Sequence, residues 1–238
     1  MKKFHVIFLL FYLSCPSSAQ IAGKVLLDKT IHFHDPKGNW SKLNQRFLLR
    51  TESPNRPDSV TLDFDNRRSY FRHANITDGK LIERIMLDTV ASWKIDGQTT
   101  VSDGDQKKYR LAADRIKRQR DYYTYLFGLP MKLRDAGTKV ADEVKSDTFN
   151  GKTYLVLKVD YEAQVGKDSW LFYINPTTFA MEGYRFYHNR EPNDGEFIVC
   201  EGLIEVQKMK IPRRRLWYIN KDNKYLATDF LERAEPLK

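Results

Sequence analysis

Residues 167–188, KDSWLFYINPTTFAMEGYRFYH, decide how this sequence folds. Two aromatic-rich runs, each about as long as a strand, flank the breaker Asn-Pro-Thr-Thr at 175–178, which predicts a β-hairpin. The first run is apolar on both faces, which carry Trp170, Phe172 and Ile174 on one side and Leu171 and Tyr173 on the other. Because a strand of this kind must be covered on both faces, we predict a curved sheet with structure inside it.

The first residues of the chain have the three parts of a secretory signal: a basic pair at 2–3, an apolar core at 4–13 and small residues up to Ala19. About 20 apolar residues are needed to span a bilayer, so a core this short indicates a cleaved signal rather than a membrane anchor. Cleavage after Ala19 would give a signal peptide at residues 1–19 and a single domain at residues 20–238.

Cys15 offers an alternative, because residues 12–15 are a loose match to a bacterial lipobox, in which the cysteine becomes a lipidated N-terminus. Both alternatives predict an exported protein that is periplasmic or associated with the outer membrane, and no later apolar run is long enough for a transmembrane span. If cleavage removes Cys15, Cys200 is the only cysteine left, and its apolar neighbours predict a buried, unreactive thiol. The oligomeric state is not indicated.

The chain is basic, with 40 Lys and Arg residues against 31 Asp and Glu residues and a net charge of +9. In a cytosolic protein this charge would point to nucleic acid. In an exported protein it favours an anionic envelope surface as the electrostatic partner, and we expect no nucleic-acid partner. An ordinary solvated surface is the simpler explanation of the same charge.

Alternating apolar residues predict antiparallel strands along most of the chain. The predicted strands lie at 43–51, 59–65, 69–73, 81–87, 92–95, 143–149, 152–161, both arms of 167–188, 196–209, 214–220 and 224–231. Asn150-Gly151 is the strongest short hairpin signal among them. A short helix is predicted at 21–33, and a longer one begins at the capping residues 102–105 and ends at Gly128, before Pro130.

Four short patterns resemble an exported bacterial family of unknown function. They are HDPKGNW at 34–40, YYTYLFGLP at 122–130, GYRFYH at 183–188 and WYIN at 217–220. The order of the predicted elements, with the segments 170–183, 202–212 and 215–229, also resembles the lipoprotein-localisation-factor superfamily. That superfamily contains periplasmic lipoprotein carriers, outer-membrane lipoprotein receptors and related sensor domains.

The superfamily resemblance implies a mainly β (α+β) fold. Its expected form is a strongly curved antiparallel sheet, or incomplete β-barrel, of about eleven strands with two or three helices on the concave side. The resemblance also implies an apolar cavity between sheet and helices, a role in lipid or lipoprotein handling, and no cofactor. Its carriers bind acyl chains through diffuse apolar surfaces, so it transfers no fixed functional residue to this sequence.

We expect a non-enzymatic protein that binds a hydrophobic or amphiphilic ligand, such as a lipid or a lipoprotein acyl chain, by removing apolar surface from water. The expected cavity-wall residues are Trp170, Phe172, Ile174, Leu157, Val159 and Tyr161 on the strands and Tyr123 and Phe127 on the helix. The sequence leaves open which strand face points inward. The alternatives are an envelope scaffold or sensor with a filled cavity, and a hydrolase of envelope glycan or lipid.

Candidate catalytic and metal-binding groups have simpler explanations. His32, His34 and Asp35 come closest to a metal cluster, but residues two apart on a helix point in different directions, which favours a structural role near the helix end. Asp63 and Asp65 share a strand face, as a glycosidase pair would. Asp65 more simply marks a turn beside Asn66.

Three further groups carry weak signals. The arginines at 213–215 form a compact positive patch suited to phosphate or lipid headgroups, although a solvated sheet edge explains them equally well. His73 and His188 lie at strand ends, where folding could bring either into a site. We therefore assign no catalytic residue and no metal ligand from the sequence.

Overall fold

The computed structural model of the protein describes residues 21–54, 58–188 and 194–237. The predicted signal at 1–19 lies outside the described residues, together with both predicted processing sites. Within the described ranges, no helix is long and apolar enough to cross a membrane.

Strands form the larger part of the fold. The strands before the helical insertion are β1 (Asn44–Glu52), β2 (Asp58–Asp65), β3 (Tyr70–Thr77), β4 (Lys80–Leu87) and β5 (Val90–Ile95). Those after it are β6 (Thr138–Val140), β7 (Lys145–Phe149), β8 (Lys152–Tyr161), β9 (Ser169–Ile174), β10 (Met181–Tyr187), β11 (Glu196–Val206), β12 (Met209–Ile219) and β13 (Tyr225–Pro236). The helices are α1 (Gly23–His34), α2 (Asp103–Lys108) and α3 (Ala113–Gly128), with 3-10 turns at Trp40–Lys42, Asn66–Arg68 and Met131–Arg134.

All thirteen described strands belong to one sheet with antiparallel pairing. Their order is β5-β4-β3-β2-β1-β13-β12-β11-β10-β9-β8-β6, and β7 also pairs with β8. The last strand, β13, lies between β1 and β12 and joins the two halves of the sheet. The sheet is curved. Among the described residues its outermost strands, β5 and β6, do not pair with each other, so the sheet does not close into a barrel. The predicted fold class is confirmed.

Helices α1 and α3 pack on the concave side of the sheet. Leu26 and Leu27 of α1 are buried in the core, and Phe127 of α3 is fully buried. The ring of Phe127 lies 5.0 Å from that of Phe47 and 6.0 Å from that of Phe64, measured between centroids. One apolar cluster thus joins both helices to strands from both halves of the sheet.

The hairpin formed by β9 and β10 is covered on both faces, as predicted. Phe172 of β9 points into the main core, while Tyr173 belongs to a second cluster on the opposite face, and both are at most 1% exposed. The ring of Phe149 from β7 stacks on Tyr173 at 3.9 Å. Phe149 can lie there because Gly183 has no Cβ, which would come within 2.4 Å of its ring. The β7 strand therefore supplies the outer cover.

The single helix predicted from 102 to 128 is wrong: the chain forms two helices, α2 and α3, with a break between them. Tyr109 and Leu111 are both buried against Ile82 of β4. Residues two apart cannot face the same side of a helix, so the chain must leave the helical conformation to bury both. Arg110 between them takes a left-handed φ of 57°.

The strand predicted at 196–209 is also wrong at its end. Gln207 and Lys208, with φ values of 49° and 63°, form a two-residue turn between β11 and β12. β12 therefore begins at Met209, five residues before the predicted start at 214, and runs through Pro212. The earlier turn moves a strand boundary without adding a strand, and the short strand β6, which was not predicted, brings the number of described strands to thirteen.

Candidate ligand-binding cleft

An open cleft of about 800 Å³ lies between helix α3 and strands from both halves of the sheet. Helix α3 forms one wall, the β2–β3 region and the first 3-10 turn form the second, and β6, the end of β8 and the start of β9 form the third. The lining residues are Trp40, Ser41, Phe64, Asn66, Ser69, Tyr70, Phe71, Arg120, Asp121, Thr124, Tyr125, Lys132, Asp135, Thr138, Tyr161, Val165, Gly166, Asp168 and Trp170.

Aromatic side chains dominate the apolar part of the cleft. The hydroxyls of Tyr125 and Tyr161 share a hydrogen bond. The ring of Tyr125 meets that of Trp170 edge to face at 5.4 Å. Trp40 closes over Gly128, where a Cβ would come within 2.6 Å of the indole, so glycine at the end of α3 permits this contact. These rings are partly exposed and offer apolar surface to a ligand.

The charged side chains of the cleft are neutralised locally. Arg120 of α3 pairs with the adjacent Asp121 at 2.7 Å, and Lys132 pairs with Asp135. Burial alone would raise the pKa of Asp121, but hydrogen bonds from Lys117 and Arg120 outweigh it and lower the pKa. The cleft therefore offers no large unpaired charge of either sign from these two pairs, which suits a ligand with an apolar or weakly charged inner part.

Asp168 is paired too, with a residue outside the cleft lining. Its Oδ1 lies 3.0 Å from Nδ1 of His188, and this hydrogen bond raises the pKa of the exposed imidazole. The cleft tyrosines are neutral donors: burial raises the pKa of Tyr161 to about 12 and holds that of Tyr125 well above its ordinary value. Neutral phenols can orient a polar headgroup without attracting a charged one.

The structure places the eight predicted wall residues in three groups. Tyr161 and Trp170 line the cleft. Tyr123 is partly buried, with its ring 5.7 Å from that of His73. The others are at most 1% exposed in the packed core: Phe172, Ile174, Leu157, Val159 and Phe127.

Five lining aromatics were not among the predicted wall residues: Trp40, Phe64, Tyr70, Phe71 and Tyr125. A signal for two of them was present, since Trp40 lies in the pattern at 34–40 and Tyr125 in the pattern at 122–130. Nothing in the sequence marks Tyr70.

The structure gives the predicted histidine cluster structural tasks. His34 is fully buried, and its Nε2 accepts a hydrogen bond from the backbone N–H of Met181. Asp35 caps the following turn by accepting from the backbone N–H groups of Asn39 and Trp40, at 2.7 and 2.8 Å. His32 is exposed on the other side of α1. Within the three described ranges, no group of three His, Cys, Asp or Glu side chains could hold a metal ion.

The two aspartates of β2 are also engaged. Asp63 receives a bidentate hydrogen bond from Arg46 at 2.7 and 2.8 Å, and a third bond from Arg72 at 3.2 Å. Asp65 accepts from Asn44. This network links three neighbouring strands.

The arginine patch predicted at 213–215 is wrong. Arg213 is exposed and Arg214 pairs with Glu201, but Arg215 is only 1% exposed and points into the core. Alternation along β12 points Arg214 to the face opposite Arg215, so the three guanidinium groups do not form one patch. Cys200 is buried as predicted, and burial raises the pKa of its thiol to about 12.

Comparison with protein families matches residues 2–232 to DUF6503, a family of unknown function. The chain belongs to this family. The predicted resemblance to a family of unknown function is thereby confirmed. No curated protein matched the DUF6503 chain.

Solved structures show what the DUF6503 fold resembles. A LolA superfamily protein of Nitrosomonas europaea is 12% identical, with 92% of this chain and 94% of that one covered and a TM-score of 0.51. A domain of Vibrio parahaemolyticus, described as an outer membrane lipoprotein-sorting protein domain, is 5% identical, with 91% and 92% covered and a TM-score of 0.48. At such identities the likeness concerns the fold alone, and it is supported by the Nitrosomonas europaea structure.

Proposed function

We propose that this DUF6503 protein is an exported, non-enzymatic protein that binds a hydrophobic or amphiphilic ligand, a lipid or an acyl chain, in the cleft beside α3. One observation carries the proposal: partly exposed aromatic rings from α3 and from both halves of the sheet surround an open space of about 800 Å³. Small-molecule sites have volumes of about 300–1,000 Å³ and mostly apolar walls. The LolA-like fold supports the same ligand class.

The energy of binding would come from removing apolar surface from water. Each buried methylene contributes about 0.8 kcal/mol, so an acyl segment of about eight methylenes gains roughly 6 kcal/mol before the cost of immobilisation. The local pairing of Arg120 with Asp121 and of Lys132 with Asp135 means that an apolar chain would not bury an unpaired charge from these groups. The hydroxyls of Tyr125 and Tyr161 would orient the polar end.

A second function, an envelope scaffold or sensor acting through protein contacts, is favoured by the packed interior. Helices α1 and α3 fill the concave side, and five of the eight predicted wall residues are at most 1% exposed. In that case the space beside α3 would be a surface groove and no amphiphile would accompany the protein.

A substitution that fills the cleft separates these functions. Thr138 lines the cleft, whereas Thr148 is an exposed strand threonine outside it. We expect Thr138→Trp to weaken binding of an apolar fluorescent probe by at least about tenfold, or 1.4 kcal/mol, while Thr148→Trp binds as the wild type does. Lipid extraction and mass spectrometry of natively purified protein should find an amphiphile with the wild type and less of it with Thr138→Trp.

Two results would contradict ligand binding: no amphiphile in the native extract, or equal probe affinity in all three proteins. The intact mass of the same sample reports processing. An intact mass equal to that of a chain cleaved after Ala19 supports the cleaved signal. The mass of a chain that starts at Cys15 with a diacylglyceryl adduct supports lipidation.

A further inference from the structure

Exposed basic side chains from five separate segments converge at one end of the fold. They come from α1, the turn after it, the first 3-10 turn, the second 3-10 turn and the β11–β12 hairpin: Lys29, Lys37, Lys42, Arg67, Lys208 and Lys210. We name this set the basic end.

Hydrogen bonds hold the segments of the basic end together. The side chain of Gln207, at the tip of the β11–β12 hairpin, donates to the backbone carbonyl of Lys42 at 3.0 Å, and the backbone carbonyl of Gln207 accepts from the Asn39 side chain at 2.9 Å. Lys208 follows Gln207 directly, so these contacts place it beside the two turns that carry Lys37 and Lys42. The convergence is therefore a fixed feature of the fold.

The remaining members of the basic end are placed by similar contacts. The Asn66 side chain donates to the carbonyl of Trp40 at 2.7 Å, which brings the neighbouring Arg67 to the first 3-10 turn. Lys210 lies with its ammonium 4.3 Å from the centre of the Phe33 ring on α1. The ammonium of Lys29 on α1 lies 4.6 Å from the centre of the Phe179 ring, which belongs to the β9–β10 connection.

The positive charge of the basic end is not cancelled by nearby carboxylates. Among the described residues, none of its six members forms an ion pair within 4 Å. Asp35 is only 5% exposed and is occupied by two backbone N–H groups. Glu205 is opposite Lys210 in the strand register but forms no ion pair with it. In contrast, Arg46 on the outer face of the sheet is paired with Asp63.

The basic end adjoins the mouth of the cleft. Trp40 and Ser41 line the cleft and precede Lys42, and Asn66 lines it and precedes Arg67. We propose that the basic end docks the protein on an anionic phospholipid surface, with the cleft mouth close to the bilayer. This step rests on the proposed function, because a ligand that exchanges between bilayer and cleft needs the two to be adjacent. A membrane also explains why half-buried aromatics, Trp40 and Phe33, accompany the lysines.

A charge-matched pair of triple variants tests the docking surface. The test variant is Lys37→Gln, Lys42→Gln and Lys208→Gln. The control variant removes the same charge elsewhere: Lys221→Gln and Lys224→Gln lie in the β12–β13 connection, at the opposite end of β12, and Lys107→Gln lies on α2, and all three are exposed. The β12 strand separates Lys208 from Lys221 by about 36 Å, more than four Debye lengths in 0.15 M salt.

We expect wild-type protein to float with vesicles of 30% phosphatidylglycerol in phosphatidylcholine, but not with pure phosphatidylcholine. Each lysine near an anionic surface contributes about fivefold, so the test variant should bind on the order of 100-fold more weakly. The control variant should keep wild-type binding, and 1 M NaCl should abolish it for all three proteins.

The proposal is overturned if the wild type does not bind the anionic vesicles, or if the control variant loses as much binding as the test variant. It is also overturned, in favour of nucleic acid, if the wild type binds a 20-base-pair DNA duplex but no vesicles and the test variant loses the DNA binding. Ligand-free protein is used throughout, so the outcome is independent of the cleft. Thr138→Trp should still bind vesicles, and the test variant should still bind the apolar probe.

Discussion

Substituting His34 by leucine tests how α1 is fixed to the sheet. The imidazole is fully buried, its Nδ1 lies 2.6 Å from the carbonyl of Lys210, and its Nε2 accepts from Met181 N–H at 3.0 Å. Because a carbonyl only accepts, the proton must be on Nδ1 and the ring must be neutral. His34→Leu leaves one N–H and one carbonyl without this partner, and at about 1–3 kcal/mol each we expect a loss of about 2–6 kcal/mol in the free energy of unfolding.

The same ring gives a pH dependence. Burial is the largest cause that lowers the pKa of His34 to about 4 and that of His73 to about 3, against an ordinary value of 6.5. The unfolded chain therefore binds these protons more readily. The stabilisation is complete above pH 6.5 and declines as the pH falls toward the folded pKa values. Between pH 7 and pH 5 each histidine accounts for a loss of about 2 kcal/mol.

Urea denaturation at pH 7, 6 and 5 measures both effects. We expect His34→Leu to be less stable at pH 7, and its stability to fall about 2 kcal/mol less between pH 7 and pH 5 than that of the wild type. His32→Leu is the control, since His32 is exposed on the same helix. The reasoning fails if His34→Leu and His32→Leu are equally stable, or if His34→Leu keeps the full pH dependence.

Two further substitutions test the sheet. Asp63→Ala removes the bidentate partner of Arg46 and should cost about 2–3 kcal/mol in urea denaturation, less than a fully buried pair because Arg46 is partly exposed. Glu232→Ala removes a partner of Arg50 in an exposed ion pair and should cost under about 0.5 kcal/mol. Equal losses from Asp63→Ala and Glu232→Ala would contradict the role of burial. Gly183→Ala places a Cβ 2.4 Å from the Phe149 ring and should cost at least about 2 kcal/mol. Adding Phe149→Leu to Gly183→Ala should restore part of the lost stability. If the stability losses of the two single variants simply add in the double variant, the clash is refuted.

The strands were predictable where turn chemistry was explicit. Asn150-Gly151 correctly placed the β7–β8 hairpin, because both residues tolerate the positive φ that the turn requires. Gln207-Lys208 makes a turn of the same kind, yet neither residue prefers it. The hydrogen bonds of the Gln207 side chain to Lys42 and Asn44 supply the reason, and such contacts are tertiary. Local propensity could not reveal them.

The prediction of a single helix from 102 to 128 failed for a related reason. The spacing of Tyr109 with Ile116 and Tyr123 favours one helix, but the sheet offers Tyr109 and Leu111 a common apolar pocket beside Ile82. The stabilisation gained by burying both side chains outweighs the cost of the left-handed backbone at Arg110 between them. Tertiary packing overrides propensity here.

The cleft was harder to predict than the core. The sequence indicated which faces of β8 and β9 are apolar, and those faces are buried. It could not indicate where the helices leave space. Trp40 and Tyr161 are distant in sequence and line one cleft because the sheet curves without closing. A position of that kind depends on the whole strand order.

Arg215 shows how α3, the helical wall of the cleft, is held in place. Its guanidinium is 1% exposed and, among the described residues, forms no ion pair; it donates to the carbonyls of Pro212 and Leu126 at 3.3 Å and lies 4.6 Å over the ring of Phe127. The Leu126 carbonyl belongs to the last turn of α3, where unpaired carbonyls and the helix dipole concentrate negative charge. The helix end and an aromatic face thus take the place of a carboxylate. A residue that appears in sequence to belong to a surface patch instead fixes the cleft wall to the centre of the sheet.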